Sequence, residues 1–381
     1  MSKKIVHITT VHPRNDVRIR YKYILSLSRH KDNFDTVLVV ADGKGSEKMD
    51  NYVIKDLGKS GLGRIGRFVG GNYRVFIFGL KNKSDLMHFH DPELLPIATL
   101  FSFMGKKVVY DMHENLPFQI LTKNYIPKFL RLVLGKTTQI FQRLVLYSMP
   151  VVFAENSYLK YFSFVKKREV VLNYPLKDIV GTIKQEKRNK FTVGYMGGVT
   201  EERGALIVLS TLKKLREEGE PVDIVFVGEV DEQVKNTAIY KISKQEGWAD
   251  FKGRLEPIEG WGCMAQCHAG LAILENSPNY VESYPTKLFE YMLLKLPVIT
   301  SNFPLYSGII NESKCGIPVN PSSVDEIADA IKIIKNHEED AKLMGERGCS
   351  VAKEKYNWET EFSKVLSFYD KILQPTEELD T

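Results

Sequence analysis

The 381-residue sequence predicts an α/β protein built from two doubly wound domains, and three observations carry that reading. Short apolar runs ending in Gly, Asn, Asp or His alternate with amphipathic stretches, the pattern of β-α units on a parallel sheet. The series stops near residue 175 and starts again near residue 191. The chain is also longer than one hydrophobic core usually supports, which favours two domains of about 150 to 200 residues.

In the first half the expected strands are KIVHITT from Lys4, TVLVVAD from Thr36, DLMHFHD from Asp85, KVVYDMH from Lys107 and PVVFAE from Pro150. EVVLNYP, ending at Pro175, reads as a last short strand entering a linker, followed by the polar KQEKRNK from Lys184. The second series is FTVGYMGG from Phe191, VDIVFVGE from Val222, DFKGRL from Asp250, AGLAILE from Ala269 and PVITSN from Pro297. Helices are expected over Val324 to Lys335 and Glu338 to Lys355, and a last amphipathic one starts at Asn357. The domains are therefore drawn as 1–175 and 176–356, with helix 357–374 free to pack back on the first. Ligands are expected at the carboxyl ends of the strands and in the cleft between two Rossmann-like domains.

Composition is that of a globular protein: 43% hydrophobic and 26% charged residues exclude a disordered chain. MSKKIVHITT turns polar too early for a signal peptide, and no apolar run approaches a membrane span. Cys263, Cys267, Cys315 and Cys349 lack metal-site spacing and read as structural thiols in a cytoplasmic protein. Residues 1–175 hold 28 Lys and Arg against 14 Asp and Glu, so the overall charge of +6 leaves the remainder at −8. A basic first half fits anionic lipid or a phosphorylated acceptor, and charge alone does not choose between these and nucleic acid.

The most informative segment is ENSPNYVESYPTKLFEYMLLKLPVITSN from Glu275. A strand ends at Glu275, a polar loop follows, and Pro285 suits the first helical position of a helix running to Lys295. Free amides and the positive end of the helix dipole then form a phosphate cradle. Glu282 precedes that cradle and Glu290 lies a turn and a half inside the helix, among apolar neighbours that suit a free surface charge poorly. Carboxylates accept two hydrogen bonds from a diol. One acid on each side of the cradle suits a diphosphate flanked by two sugars.

The spacing of Glu282 and Glu290, with HPRNDVRI, FHDPELLP, VVYDMHEN, YMGGVTEERG and YNWE in that order, resembles the retaining GT-B glycosyltransferases of the group 1, glycogen-synthase-like family. The resemblance spans nearly the whole chain. It implies transfer of a sugar from a nucleotide sugar to a saccharide or lipid-linked acceptor, with no cofactor, no metal and no nucleic acid involved. Glu290 would hold the ribose, Glu282 the donor sugar, and the amides of Thr286, Lys287 and Leu288 the diphosphate. His113, flanked by Asp111 and Glu114, would meet the sugar near its anomeric carbon. In the loop holding Gly197 and Gly198, relatives place two cations on the leaving diphosphate. Arg203 matches the second, whereas Gly198 replaces the first. A non-catalytic nucleotide-sugar-binding subunit, prompted by Gly198, and a sugar-nucleotide epimerase are the alternatives. Dinucleotide oxidoreduction is disfavoured, because neither first β-α turn carries G-x-G-x-x-G.

On the acceptor side, Asp16 is a helix cap or an acceptor ligand, Glu114 a further candidate, and Arg14 and Arg18 stand where relatives have phosphate-binding glycines. His88 and His90 alternate on one strand face, where packing, with Asp91 anchoring the loop, is favoured over metal ligation. The segment from Tyr125 combines Phe129, Leu132, Val133, Phe141, Leu144 and Val145 with Lys128, Arg131, Lys136 and Arg143. With Arg64, Arg67 and Arg74 it forms a surface for peripheral contact with an anionic membrane, or the solvated face of a core helix.

Overall fold

The computed structural model describes residues 2–59, 63–117, 120 and 127–374. The chain divides into two compact units: residues up to Asn173 with the chain from Glu361 onward, and Tyr174–Thr360.

The first unit holds β1 (Lys3–Ile8), β2 (Phe34–Val40), β3 (Glu47–Lys48), β4 (Tyr52–Asp56), β5 (Leu86–Phe89), β6 (Val108–Met112), β7 (Val151–Phe153) and β8 (Arg168–Val170). They lie in the order β3-β4-β2-β1-β5-β6-β7-β8, parallel except for the β3–β4 pair. Chain direction around the sheet reverses between β1 and β5, which sets the loops after Ile8 and Phe89 side by side. Val6, Ile8, Val39, Phe89, Phe101, Met112 and Phe153 fill the core, each with the stabilisation of about 1.5–3 kcal/mol that a buried side chain of that size brings.

In the second unit β9 (Thr192–Met196), β10 (Asp223–Val227), β11 (Ala249–Phe251), β12 (Ala269–Ala272), β13 (Val298–Ser301) and β14 (Gly316–Val319) form a parallel sheet. Its order, β11-β10-β9-β12-β13-β14, is that of a dinucleotide-type Rossmann sheet, reversing between β9 and β12. The two-domain α/β architecture expected from the sequence is thus present, with every expected strand. Three strands were not anticipated. β3 has only two residues, β4 is interrupted by the exposed Lys55, and β14 contains Pro318, which reads as a turn but is tolerated on a sheet edge.

Four helices matter below: α1 (Gly63–Lys81), α2 (Lys128–Leu146), α3 (Thr286–Leu293) and α4 (Trp358–Leu373). The helix after β1, Val17–Ile24, is wound as a π-helix and capped by Asp16, whose side chain accepts from the Ile19 amide at 2.9 Å. From Glu361 onward α4 belongs to the first unit, where Glu361 accepts from the Leu172 amide at 2.8 Å and Val365 and Tyr369 are fully buried. Among the described residues, no helix is long and apolar enough to cross a membrane.

Candidate functional site

The second unit presents its candidate site at the carboxyl edge of the sheet, where β9 and β12 diverge. The loop after β9 turns sharply at Gly197, with φ of 115°, and at Gly204, with φ of 76°. A Cβ on Gly204 would stand 2.7 Å from the Ile273 carbonyl oxygen, so glycine alone allows the two loops to meet there. The Glu275 amide donates to the Glu202 carbonyl at 3.0 Å and fastens them. Tyr195 adds a brace from below, its hydroxyl donating to the carbonyls of Gly198 and Arg203 at 3.0 and 2.8 Å.

Against this frame stands α3. Pro285 is its N-cap and not its first helical residue, and the helix closes at Leu293, two residues short of the expected Lys295. The expected role of the Leu288 amide does not hold, because that amide already donates to the Pro285 carbonyl at 3.0 Å. Thr286 and Lys287 open the helix at its positive end. Glu290 is buried, not a solvated helix acid, and accepts from the Trp261 indole at 3.0 Å. Glu282 lies exposed in the loop ahead of the helix.

The Lys287 side chain, as open from the sequence to a phosphate-binding role as to a solvated one, is buried. Its residue is 7% exposed, its Nζ has no hydrogen-bond partner, and the amine sits 4.3 Å from the centroid of the Tyr195 ring. Burial, reinforced by the neighbouring Arg203 and opposed by Glu290, brings its pKa down from 10.5 to about 7. Half-buried Arg203 lies over the Tyr280 ring, 5.9 Å from its centroid. Lys287 and Arg203 lie close enough for Arg203 to depress the amine's pKa beside a helix N-terminus, a grouping that costs free energy until an anion enters. Gly198 contributes no charge, yet a Cβ there would meet only the Thr200 methyl at 3.9 Å, so the position has room for a side chain.

In the first unit the residues gather where β1 and β5 diverge. Asp91 is the anchor that the sequence implied, accepting from Thr9 Oγ1 at 2.9 Å, from the Val11 amide at 3.1 Å and from the Thr10 amide. It also binds His12 Nδ1 at 2.8 Å. Burial pushes the Asp91 carboxyl up, but His12 and the loop amides outweigh it and hold it low. The His12 ring is 5.4 Å from that of His113, so His12 belongs to this site. Its signal, the HPRND turn after a strand, is present in the sequence, where Asp16 and the arginines are the more conspicuous side chains.

Those arginines need correction. Arg14 is committed to Asp42 and Glu47, and Arg18 binds Asp111 through Nε at 3.0 Å and Nη2 at 2.8 Å while 4% exposed. Neither is presented to a phosphate, since each compensates a buried or half-buried carboxylate of its own. Asp16 serves as the cap described above. Burial raises the Asp111 carboxyl, and Arg18 followed by His113 reverse this and hold it well below the usual range. His113 Nε2 stands 3.2 Å from Asp111 Oδ2, and its carbonyl accepts from the Tyr158 hydroxyl at 3.1 Å. Glu114 is exposed beside it. His88 and His90 are fully buried and hydrogen-bonded on the same sheet face. Cys267, Cys315 and Cys349 are buried and all four thiols are free.

On the unit's surface α2 carries Phe129, Leu132, Val133, Phe141 and Leu144 exposed, while Val145 turns inward against the core. Arg67 and Arg74 do not join this face, because α1 commits them to Glu93 and to the Leu57 and Gly58 carbonyls. The Arg64 side chain and Tyr125 lie outside the described residues.

Residues 181–350, within the second unit, match the family model of glycosyl transferases group 1. Over 99% of both chains the sequence is 19% identical to the capsular polysaccharide biosynthesis glycosyltransferase CapM of Staphylococcus aureus. Among solved structures, sucrose-phosphate synthase of Thermosynechococcus elongatus is similar with a TM-score of 0.73 at 13% identity, covering 97% of this chain and 99% of that one. Anabaena HepE in complex with UDP and glucose gives 0.70 at 14% identity, covering 97% and 100%. The Rossmann order of the second sheet and these likenesses give the chain the GT-B fold, with the match to glycosyl transferases group 1 lying over residues 181–350.

Proposed function

We propose that the chain is a retaining glycosyltransferase that moves a sugar, a hexose or a close relative, from a nucleotide-diphosphate sugar to a hydroxyl of a saccharide or lipid-linked acceptor in surface-polysaccharide synthesis. The observation that carries this reading is the buried, unpartnered amine of Lys287 beside Arg203 at the start of α3. A dianionic diphosphate leaving group supplies what that pocket lacks, and charge that builds on it during transfer meets preorganised cations and amides. Glu290, fixed by Trp261, is assigned to the ribose diol, Glu282 to the sugar, and the Gly197–Gly198 backbone to close approach. His113, held by Asp111, is assigned to the transferred sugar, with His12, Asp16 and Glu114 toward the acceptor. No metal or cofactor enters this scheme, since Lys287, Arg203 and the helix amides supply the positive charge. The likeness to CapM, a capsular polysaccharide biosynthesis glycosyltransferase, and to HepE, held in complex with UDP and glucose, supports the polysaccharide and nucleotide-sugar parts of the reading.

The acceptor side includes an anionic bilayer surface as partner. Its support is α2, which has four basic and no acidic residues and whose Phe129, Leu132 and Leu144 are 71%, 63% and 74% exposed. Such a face binds by apolar insertion plus attraction to anionic lipid. A cytoplasmic protein resting on the inner membrane face fits these features.

The reading is tested by incubating the protein with UDP- and GDP-sugars and acceptor lipids or oligosaccharides. Nucleotide release and the product's anomeric configuration are followed, with Glu282→Ala and Arg203→Ala in parallel. Release that both variants abolish, with retained configuration, is expected. Donor binding without release under any acceptor would leave a binding subunit, and conversion of the donor with no acceptor present would make it an epimerase. An inverted product would overturn the retaining assignment.

A further inference from the structure

Beneath His113 lies a buried polar chain that the proposed transfer reaction does not use. His90 Nδ1 is 3.2 Å from Asp111 Oδ2, and His90 Nε2 is 2.8 Å from His7 Nδ1. His7 Nε2 is 3.2 Å from the Tyr369 hydroxyl, which also bonds His88 Nδ1. His7, His88, His90 and Asp111 are all fully buried, as is Tyr369 of α4.

Only one placement of protons satisfies every link with neutral rings. Asp111, salt-bridged to Arg18, accepts only, so His90 donates from Nδ1 and leaves Nε2 as acceptor. His7 therefore carries its proton on Nδ1, and its bare Nε2 requires the Tyr369 hydroxyl as donor. The tyrosine oxygen in turn accepts from His88 Nδ1. The chain ends at His88 Nε2, a buried acceptor for which no partner is found. The nitrogens of the three imidazoles are also close enough to hold a metal ion, and this ordering engages the same rings by hydrogen bonds instead. Burial is the largest influence on each ring and lowers the pKa of all three, which favours their neutral forms.

We propose that Tyr369 is a positioning residue: its hydroxyl closes the proton order that Asp111 starts, supplying the donor that the bare Nε2 of His7 requires, and so holds His7, His90 and Asp111 in register for His113. Without the hydroxyl, His7 Nε2 is a buried acceptor that has lost its donor, and burial opposes a second proton on the ring. The ring relieves this by turning from its place, which costs His90 the donor at its Nε2. A loosened His90 no longer fixes Asp111 Oδ2, from which His90 and His113 each stand 3.2 Å. The last helix of the chain thereby acts on the edge of the first sheet through hydrogen bonds and not through packing alone. This inference rests on the assignment of His113 to the transferred sugar.

The test is Tyr369→Phe in the full chain, with Lys107→Met as control. Lys107 ties the end of the same helix, donating to the Leu373 carbonyl at 2.8 Å, but takes no part in the chain. Histidine ¹⁵N–¹H correlation spectra of the wild type should give His7 and His90 as neutral Nδ1–H tautomers. In Tyr369→Phe the His7 signal should lose that single tautomer, kcat should fall at least tenfold, and donor KM should stay within twofold. Lys107→Met should retain both spectrum and kcat. Unchanged tautomers and kcat in Tyr369→Phe would overturn the proposal, as would an equal loss of kcat in Lys107→Met, or stoichiometric zinc on the three histidines of purified protein. The spectra do not depend on turnover, so an inactive wild type with the expected tautomers would count against the transferase reading alone.

Discussion

Replacing Lys287 by methionine removes a charge from a place where the apo protein has nothing to pair it with. The amine's pKa falls from 10.5 in the open chain to about 7 in the fold. At about 1.4 kcal/mol for each pH unit, keeping it charged in the folded state costs up to about 5 kcal/mol. The sign follows from proton counts. Between pH 7 and 10.5 the unfolded chain binds the extra proton, so stability rises with pH through that window, and below pH 7 the full cost is present. Lys287→Met, similar in length and apolar, should therefore raise the melting temperature at pH 6.5 by several degrees, at roughly 2–4 °C per kcal/mol for a unit of this size. The gain should shrink toward pH 9. Function should move the other way. With a pKa near 7 the amine is about nine-tenths neutral at pH 8, and a diphosphate that pairs with it should draw in close to one proton. Calorimetric titration with UDP at pH 8, in buffers of different ionisation enthalpy, reads that uptake directly. The variant should lose the uptake and bind UDP at least tenfold more weakly, as expected for a lost charge-assisted contact of about 1.5–3 kcal/mol. A melting temperature that falls at pH 6.5, or wild-type uptake of no proton at pH 8, would refute the reasoning.

Three further outcomes follow from the same geometry. Gly198→Lys enters open space, so the fold should tolerate it and UDP affinity should rise several-fold, measured by calorimetry and thermal shift. Gly204→Ala places a Cβ against the Ile273 carbonyl in a left-handed backbone, and should cost about 2 kcal/mol or more in denaturant unfolding, with loss of nucleotide binding as the two loops part. Leu132→Ser with Leu144→Ser should weaken co-sedimentation with vesicles containing anionic lipid at least tenfold and leave UDP binding unchanged. Each leucine inserted into a bilayer is worth about 1.5–3 kcal/mol.

The sequence by itself determined the fold and the strand, loop and helix that frame Glu282 and Glu290. Apolar runs buried on both faces announce parallel strands regardless of what packs on them, which is why every expected strand is present, and β4 and β14 escaped because Lys55 and Pro318 break that pattern at or near sheet edges. The Glu282 to Glu290 stretch was legible because its meaning is local: a strand end, a proline and an amphipathic helix fix one another within a dozen residues. What only the tertiary structure decided is which charges have partners. Arg14 and Arg18 looked available for phosphate until Asp42 and Asp111, 28 and 93 residues away, took them. Lys287 stood evenly between a phosphate cation and a solvated helix lysine until Tyr195 and Arg203 closed over it, and His12 gained its place through Asp91, 79 residues on. The free energy of a charge depends on what surrounds it in space, and no periodicity along the chain encodes that.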